Sequence, residues 1–430
     1  MVLSLLLLLL LSVCNASHFF GTVMTYYPSY TDINQTVQVV LRAKMNFHLC
    51  SQLTRWSCSS LNCGTEILLP NTVIDRESSD DWCQYEEIST RQVPNNAPFL
   101  LMLSGGSWVG NNNGITNWRA ITVVDVRNRS DTNKANSSPQ TTILPLLRVP
   151  SNCQRDFNLL AFDSDGDNVR CRYGDASLSE CYTCTQPPVL NLSASCTLSF
   201  SPTSSSNEGA YVVQMVMEDF PKQNITLTQT NGSQEVKSNN DAVSKIPVQF
   251  VVSVDPVVPS CTEGLYLPKF LPPTPDNGAH LYTLVNQSLT IAIKAETLNA
   301  TMSELLYSGP SSINQTTSGP GHYIMTWTPS QREDGESHPI CFVVQATYNG
   351  VKYHSELRCV VVAVKAPPLF RHKVVVALKI KVSPSSPVSE EDIRIGIIQK
   401  VKHELDSRGI ASNVTLRLVK TDTATPSPDC

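Results

Sequence analysis

The sequence predicts a mainly β protein: tandem β-sandwich domains followed by a small C-terminal β-α-β module. Three observations carry this. Apolar and polar residues alternate with period two in short runs punctuated by Pro, Gly and Asn. Helical periodicity is nearly absent before residue 388. Two long blocks repeat one order of motifs, the mark of a duplicated domain. A chain of 430 residues has room for about three such domains.

The chain opens MVLSLLLLLLLSVCNAS, an apolar run followed by small residues, which predicts a secretory signal over 1–16 cleaved after Ala16. No second apolar stretch approaches the roughly 20 residues a membrane span needs. The best, VVVAL at 374–378, is followed by Lys379 and Lys381. We therefore expect a secreted, extracellular protein. The net charge of −5 lacks the basic footprint of a nucleic-acid binder.

Of the 14 cysteines, Cys14 lies in the leader; the others are Cys50, Cys58, Cys63, Cys83, Cys153, Cys171, Cys181, Cys184, Cys196, Cys261, Cys341, Cys359 and Cys430. Outside the cell these are read as disulfides, with Cys430 the odd one and a candidate link in a disulfide-bonded dimer. Ten Asn-x-Ser/Thr sequons follow the leader, at Asn34, Asn128, Asn136, Asn191, Asn224, Asn231, Asn286, Asn299, Asn314 and Asn413, and are expected to carry glycans.

The first domain is placed at 18–148. TVQVVLRAKMNF (36–47) is its clearest strand, with Val37, Val39, Leu41, Ala43, Met45 and Phe47 on the core face and Gln38, Arg42, Lys44 and Asn46 on the other. APFLLMLSG (97–105) and RAITVVDVR (119–127) read as further strands. Cys50, Cys58, Cys63 and Cys83 can close two local bridges, in any of three pairings.

The repeat covers 149–256 and 257–366. CTLSFSPTSSSNEGAYVVQMVMEDF (196–220) precedes KIPVQFVVSV (245–254), and YIMTWTPSQREDGESHPICFVVQATYNG (323–350) precedes SELRCVVVAV (355–364). Both pass from a strand through Ser/Thr-Pro and an acidic Gly loop into a strand containing VVQ. Boundaries follow at LRVPSNC and DPVVPSC, each a Pro-containing link to a cysteine. Cys341 and Cys359 flank the Asn349-Gly350 turn, which predicts a cross-strand bridge.

The Asp-x-Asp-Gly-Asp motif of NLLAFDSDGDNVRCRYG (158–174), followed by SFSP…EGAYVVQMVMED, resembles the cadherin-like and Ig-like repeats of extracellular proteins, including the dystroglycan type. The likeness covers about 149–365. It implies a β-sandwich and adhesion or matrix binding, and no catalysis.

Two readings of Asp163, Asp165 and Asp167 stand. Asp165-Gly166 is a favoured turn pair, so the stretch is either a β-hairpin turn or an extracellular-type calcium site. An EF-hand is excluded, because Gly166 is fourth from Asp163 and position 174 is Gly. A calcium site needs further carboxylates, for which Glu218, Asp219 and Asp255 are the candidates. No cofactor other than this possible calcium is expected.

Cys181-Tyr-Thr-Cys184 matches a zinc or redox CxxC, but has no nearby histidine and no helix to activate a thiol, so it reads as a disulfide. GGSWVG (105–110) falls one residue short of the nucleophile pattern G-x-S-x-G, and an Asn-rich loop follows where that motif needs a helix. Ser107 is therefore not expected to be a nucleophile, and the protein not an enzyme. Trp108 and Trp118 read as either core anchors or a binding surface.

The tail, 370–420, holds strand HKVVVALKIKV (372–382), a helix over 387–409 capped by Ser389 and Gly409, and strand NVTLRLVK (413–420), a module of SEA-like or ferredoxin-like type. The functional expectation is an extracellular binding or adhesion protein whose partner is an extracellular protein or a glycan. The alternative is a calcium-dependent ectodomain of a longer membrane receptor.

Overall fold

The computed structural model describes residues 18–31, 37–79 and 81–365, with 396, 399 and 400 of the tail. The leader, Asn34, Asn413, Cys430 and nearly all of the β-α-β module lie outside these residues. The three described tail residues are helical and exposed. The chain divides into compact units at 368/369, and the regular elements described in the first are strands and three short 3-10 turns.

The second and third blocks, 149–256 and 257–366, share one set of pairings. Strand Lys245–Asp255 pairs in parallel with Leu146–Pro150 and antiparallel with Gly209–Phe220, which pairs with Asn168–Tyr173. Strand Arg358–Val364 likewise pairs in parallel with Ala279–Thr283 and antiparallel with Ser337–Tyr348, which pairs with Thr301–Ser308. The opposing sheets match too: Thr197–Phe200 sits between Arg155–Asn158 and Leu190–Leu192, and His322–Trp327 between Leu289–Glu296 and Asn314–Gly319. Each block is thus a Greek-key sandwich. The repeated Ser/Thr-Pro and acidic Gly loops become equivalent 3-10 turns, Ser205–Asn207 and Gln331–Glu333.

FDSDGDNVRCRYG is not a hairpin. Arg155–Asn158, ahead of it, lies in one sheet against Thr197–Phe200. Asn168–Tyr173, after it, lies in the other against Gly209–Phe220. The loop therefore crosses between sheets. Period-two alternation identifies two strands but not their partners.

The first block is not a separate bead on a rod. Phe19–Thr31, Val37–Phe47 and Cys83–Val93 lie side by side, antiparallel, in one sheet. Its sheet runs into the second block through Lys245–Asp255, with Val23 opposite Val248 and Val123 opposite Lys245, giving a 12-stranded sheet. Gly21 makes this approach possible: at φ +117°, a Cβ there would stand 1.9 Å from the Gln249 carbonyl oxygen. The third block also docks on the first. Ile74, from strand Thr72–Arg76, joins the third block's core, and the Tyr307 hydroxyl donates to the Ile74 carbonyl at 2.8 Å.

All twelve described cysteines after the leader are paired: 50–83, 58–63, 153–261, 171–196, 181–184 and 341–359. Cys341 and Cys359 are direct register partners. The Asn349-Gly350 turn has φ of 50° and 79°, the doubly left-handed turn a tight hairpin prefers. The two cysteines of the Pro-containing links, Cys153 and Cys261, bond to each other and staple the second block to the third.

Candidate functional site

The aspartate loop is built around an arginine. Asp163 accepts from the backbone N–H of Asp165 at 2.8 Å and of Asp167 at 3.4 Å, closing the loop on its own first carboxylate. Gly166, at φ +87°, turns the chain. Asp165 Oδ2 accepts from Ser137 N at 2.7 Å. Asp167 takes both oxygens to Arg129, Oδ1 at 2.6 Å from Nη2 and Oδ2 in a short contact with Nη1.

Arg129 comes from strand Asn128–Arg129, which pairs with Ile225–Thr228, and its side chain is fully buried. It also donates from Nε and Nη2 to Asp131 at 3.0 and 2.9 Å, and from Nη1 to Asn136 Oδ1 at 2.7 Å. All five guanidinium N–H groups are satisfied. Behind the loop, Asp219 is wholly buried; its Oδ1 accepts from Ser244 N and Oγ at 2.6 and 2.9 Å. Its Oδ2 accepts from Asn136 Nδ2 at 3.3 Å.

Two carboxylates, Asp131 and Asp167, thus pair with the one guanidinium, while Asp163, Asp165 and Asp219 are held by N–H and O–H donors nearby. Burial, then Asp165 and Asp167, push Asp163 up to about 7. Burial, then Asp163, raise Asp219 well above the carboxylate range. Like charges in one site cannot all ionise, so the excess is relieved by protons.

Calcium takes six to eight converging oxygens. Here Asp167 and Asp131 are committed to Arg129, and Asp163 Oδ2 is buried without a partner. Of the three carboxylates expected to complete a set, only Asp219 is present. Glu218 bonds Arg172 at 2.7 Å, and Asp255 bonds Arg148 at 3.2 Å. Among the described residues no group of three or more His, Cys, Asp or Glu is arranged to hold a metal ion. The residues as folded do not fit calcium.

A second cluster escaped the sequence reading. Arg42, Lys44 and Asn46, on the polar face of Val37–Phe47, are 6%, 8% and 0% exposed. The third block reaches Arg42 through Glu333, and beside Asn46 the Gln84 amide bridges Asn46 Oδ1 and the Ile143 carbonyl. Arg42 forks onto Glu86, Nε to Oε1 at 2.9 Å and Nη2 to Oε2 at 3.1 Å, and reaches Glu333 at 3.3 Å. Glu86 also accepts from Ser311 N at 3.1 Å. Burial pushes Glu86 up, but Arg42 and Lys44 outweigh it and hold it at about 2. Burial pulls Lys44 down to about 8 and His338 well below its ordinary value. The only sequence signal was an alternation whose polar positions are charged at 42 and 44; what covers a polar face is tertiary information.

The remaining candidates resolve simply. Trp108 and Trp118 are both 4% exposed and pack on Phe19, with ring centroids at 4.7 and 4.6 Å, so they are core anchors. Ser107 follows strand Phe99–Gly106 and opens no helix: its carbonyl accepts from Phe19 N at 3.1 Å, and Asn111 Nδ2 ties the following loop to Val109 and Ile115. Among the described residues no hydrogen bond links the Ser107 hydroxyl to a histidine. Seven sequon asparagines, at 128, 191, 224, 231, 286, 299 and 314, are exposed. Asn136 is the exception. It is 0% exposed and its Nδ2 donates to Ser137 and Asp219, so the folded chain has no room for a glycan there.

No family model matches the chain. Over 244 residues it is 25% identical to integrin beta-like protein C of Dictyostelium discoideum, covering 52% of this chain and 12% of that protein. Over 333 residues it is 23% identical to integrin beta-like protein E of the same organism, covering 67% and 16%. The chain spans less than a fifth of the length of either relative. Among solved structures, the tandem Ig repeats of Dlar overlap 53% of this chain and 94% of theirs at 11% identity and a TM-score of 0.20. Human protocadherin-24 EC1-2 overlaps 54% and 100% at 10% and 0.18.

Proposed function

We propose that this chain is a secreted, N-glycosylated, disulfide-bonded binding module that acts in extracellular adhesion, with an extracellular protein or glycan as partner. The observation that carries this is the 244-residue match to an integrin beta-like protein, in a chain built of sandwiches stapled by six disulfides. Sandwich loops on a rigid frame are common recognition surfaces, and bridges of this density suit an oxidising compartment. The test is attachment. The protein, secreted from a eukaryotic host, is immobilised and offered to cells, matrix proteins and a glycan panel. Retention of at least one of these, lost on heat denaturation, is the expected result; no retention of any overturns the reading.

Peptide mapping of the same material is expected to find glycans on exposed sequons such as Asn224 and Asn314 and none on Asn136. A glycan on Asn136 would mean that the buried amide geometry is wrong. Intact mass under non-reducing conditions tests the Cys430-linked dimer.

A second reading, the ectodomain of a longer membrane receptor, is favoured by the small share of each relative that the chain covers. A transcript that continues past residue 430 into an apolar span would support it. No catalytic role is proposed for Ser107. Labelling by a fluorophosphonate would reverse that.

A further inference from the structure

We propose that the sequons at Asn191 and Asn314 are one duplicated site, whose glycans guard the open sheet edge of each sandwich against pairing with a second copy of the chain. The inference rests on the reading of the chain as secreted and N-glycosylated. The two asparagines hold the same place in the two copies. Asn191, in strand Leu190–Leu192, lies opposite Ser199, and Asn314, the first residue of Asn314–Gly319, lies opposite Thr326. Ser199 and Thr326 are themselves equivalent, each standing just before Phe200-Ser201-Pro202 or Trp327-Thr328-Pro329. The surroundings repeat too. Before each asparagine comes a buried aliphatic residue, Leu190 or Ile313. Its N–H donates to the carbonyl of a buried proline three residues back, Pro187 or Pro310, at 3.2 Å in both copies. Its carbonyl accepts from a tyrosine hydroxyl of the opposing sheet, Tyr173 at 3.4 Å or Tyr307 at 3.2 Å. With that residue anchored in the core, the next side chain faces outward. Both asparagines are exposed, and among the described residues neither side chain makes a hydrogen bond.

The edges need cover. Among the described residues, each of these strands is the last of its sheet, paired only with Thr197–Phe200 or His322–Trp327. Such an edge offers its backbone N–H and C=O groups to another strand, and proteins blunt it with charges or proline. Leu-Asn-Leu and Asn-Gln-Thr-Thr-Ser-Gly contain neither. The second is six residues long and largely exposed, so the greater effect is expected at Asn314. A bulky, hydrated glycan rooted on the strand itself leaves no room for a partner strand. The other exposed sequons differ. Asn224, Asn231, Asn286 and Asn299 lie outside strands, and Asn128 is engaged on both sides, by Thr228 and Ala135.

The test uses the full chain secreted from a eukaryotic host. Light scattering reads its mass at roughly 100 μM, where open strand edges associate. Wild type and Asn224→Gln, which loses a loop glycan, should share one mass. Asn191→Gln/Asn314→Gln should rise to about twice that mass or more. Asn191→Lys/Asn314→Lys also lacks both glycans but charges each edge, and should keep the wild-type mass. If the Gln variant is not secreted and the Lys variant is, the same guarding has been read inside the cell. A Gln variant of wild-type mass overturns the proposal. So does a Lys variant that associates as the Gln variant does, or failure of both to be secreted. Glycans found on Asn224 but on neither edge site would sink this inference alone and leave the glycosylated reading standing. None of these readouts depends on whether the chain is adhesive.

Discussion

Replacing Arg42 by methionine is expected to lower stability by about 3–5 kcal/mol, the usual result of removing one member of a buried ion pair. Glu86 is 1% exposed, lies opposite Lys44 in the register of Val37–Phe47 and Cys83–Val93, and is held ionised chiefly by Arg42. Methionine fills most of the space but donates nothing, so Glu86 must stay charged with weaker partners or take a proton inside the core. Glu333 and the Ser311 backbone contact lie on the third block, so the loss loosens the junction between blocks as well as the strand pair. The control is the double variant Arg42→Met/Glu86→Leu. With both charges gone, part of the loss should return, because well-packed apolar replacements of buried pairs are often neutral or better, while the buried Lys44 is left without Glu86 as its counter-charge. Urea unfolding of both variants decides it. A single variant within 1 kcal/mol of wild type, or a double variant no better than the single, would count against a paired, desolvated Arg42.

How far this was legible differs by element. Val37–Phe47 could be read to the residue, because a strand with one apolar face writes its period directly. The duplicated sandwich was legible as well, since two copies of one motif order give two copies of one pairing scheme. The cysteines were partly legible. Cys341–Cys359 followed from a turn, but Cys153–Cys261 looked like two boundaries when the Pro-containing links that carry them were in fact the two ends of one staple. Three things were not legible. Residues 162–174 alternate like a hairpin, and alternation is blind to which sheet each strand joins. Arg42 and Lys44 sit at polar positions, and polarity alone does not say whether water or another block lies over them. Arg129, the second arginine of VRNRS, sits in a short polar stretch, and only the fold brings it to Asp167, 38 residues away.

The Arg42 seam and the nearby Asp75 should give the protein a pH optimum on the mildly acidic side, with the two flanks separable by mutation. Asp75 accepts from Tyr307 N at 2.9 Å across the junction, and burial raises its pKa to about 7. A carboxyl raised above its unfolded value of 3.8 gives its full contribution below pH 4 and loses it as pH rises through 7. Asp75→Asn keeps one acceptor oxygen, for Tyr307 N, gives up the bond from Arg76 N, and removes the titration. Relative to wild type it should gain roughly 2–4 kcal/mol between pH 5 and pH 8. His338 has the opposite sign. It is 5% exposed and packs on Trp327; burial, then Arg42 and Lys44, lower its pKa, with Glu86 opposing. A histidine that stays neutral when folded supports the fold above pH 6.5 and loses that support as pH falls below it, where the unfolded chain takes up the proton. His338→Leu should therefore leave the alkaline flank unchanged and flatten the acid one. Urea midpoints for the three proteins at pH 5, 6.5 and 8 resolve both effects. If Asp75→Asn runs parallel to wild type across this range, Asp75 ionises freely and the junction around Tyr307 is open to water.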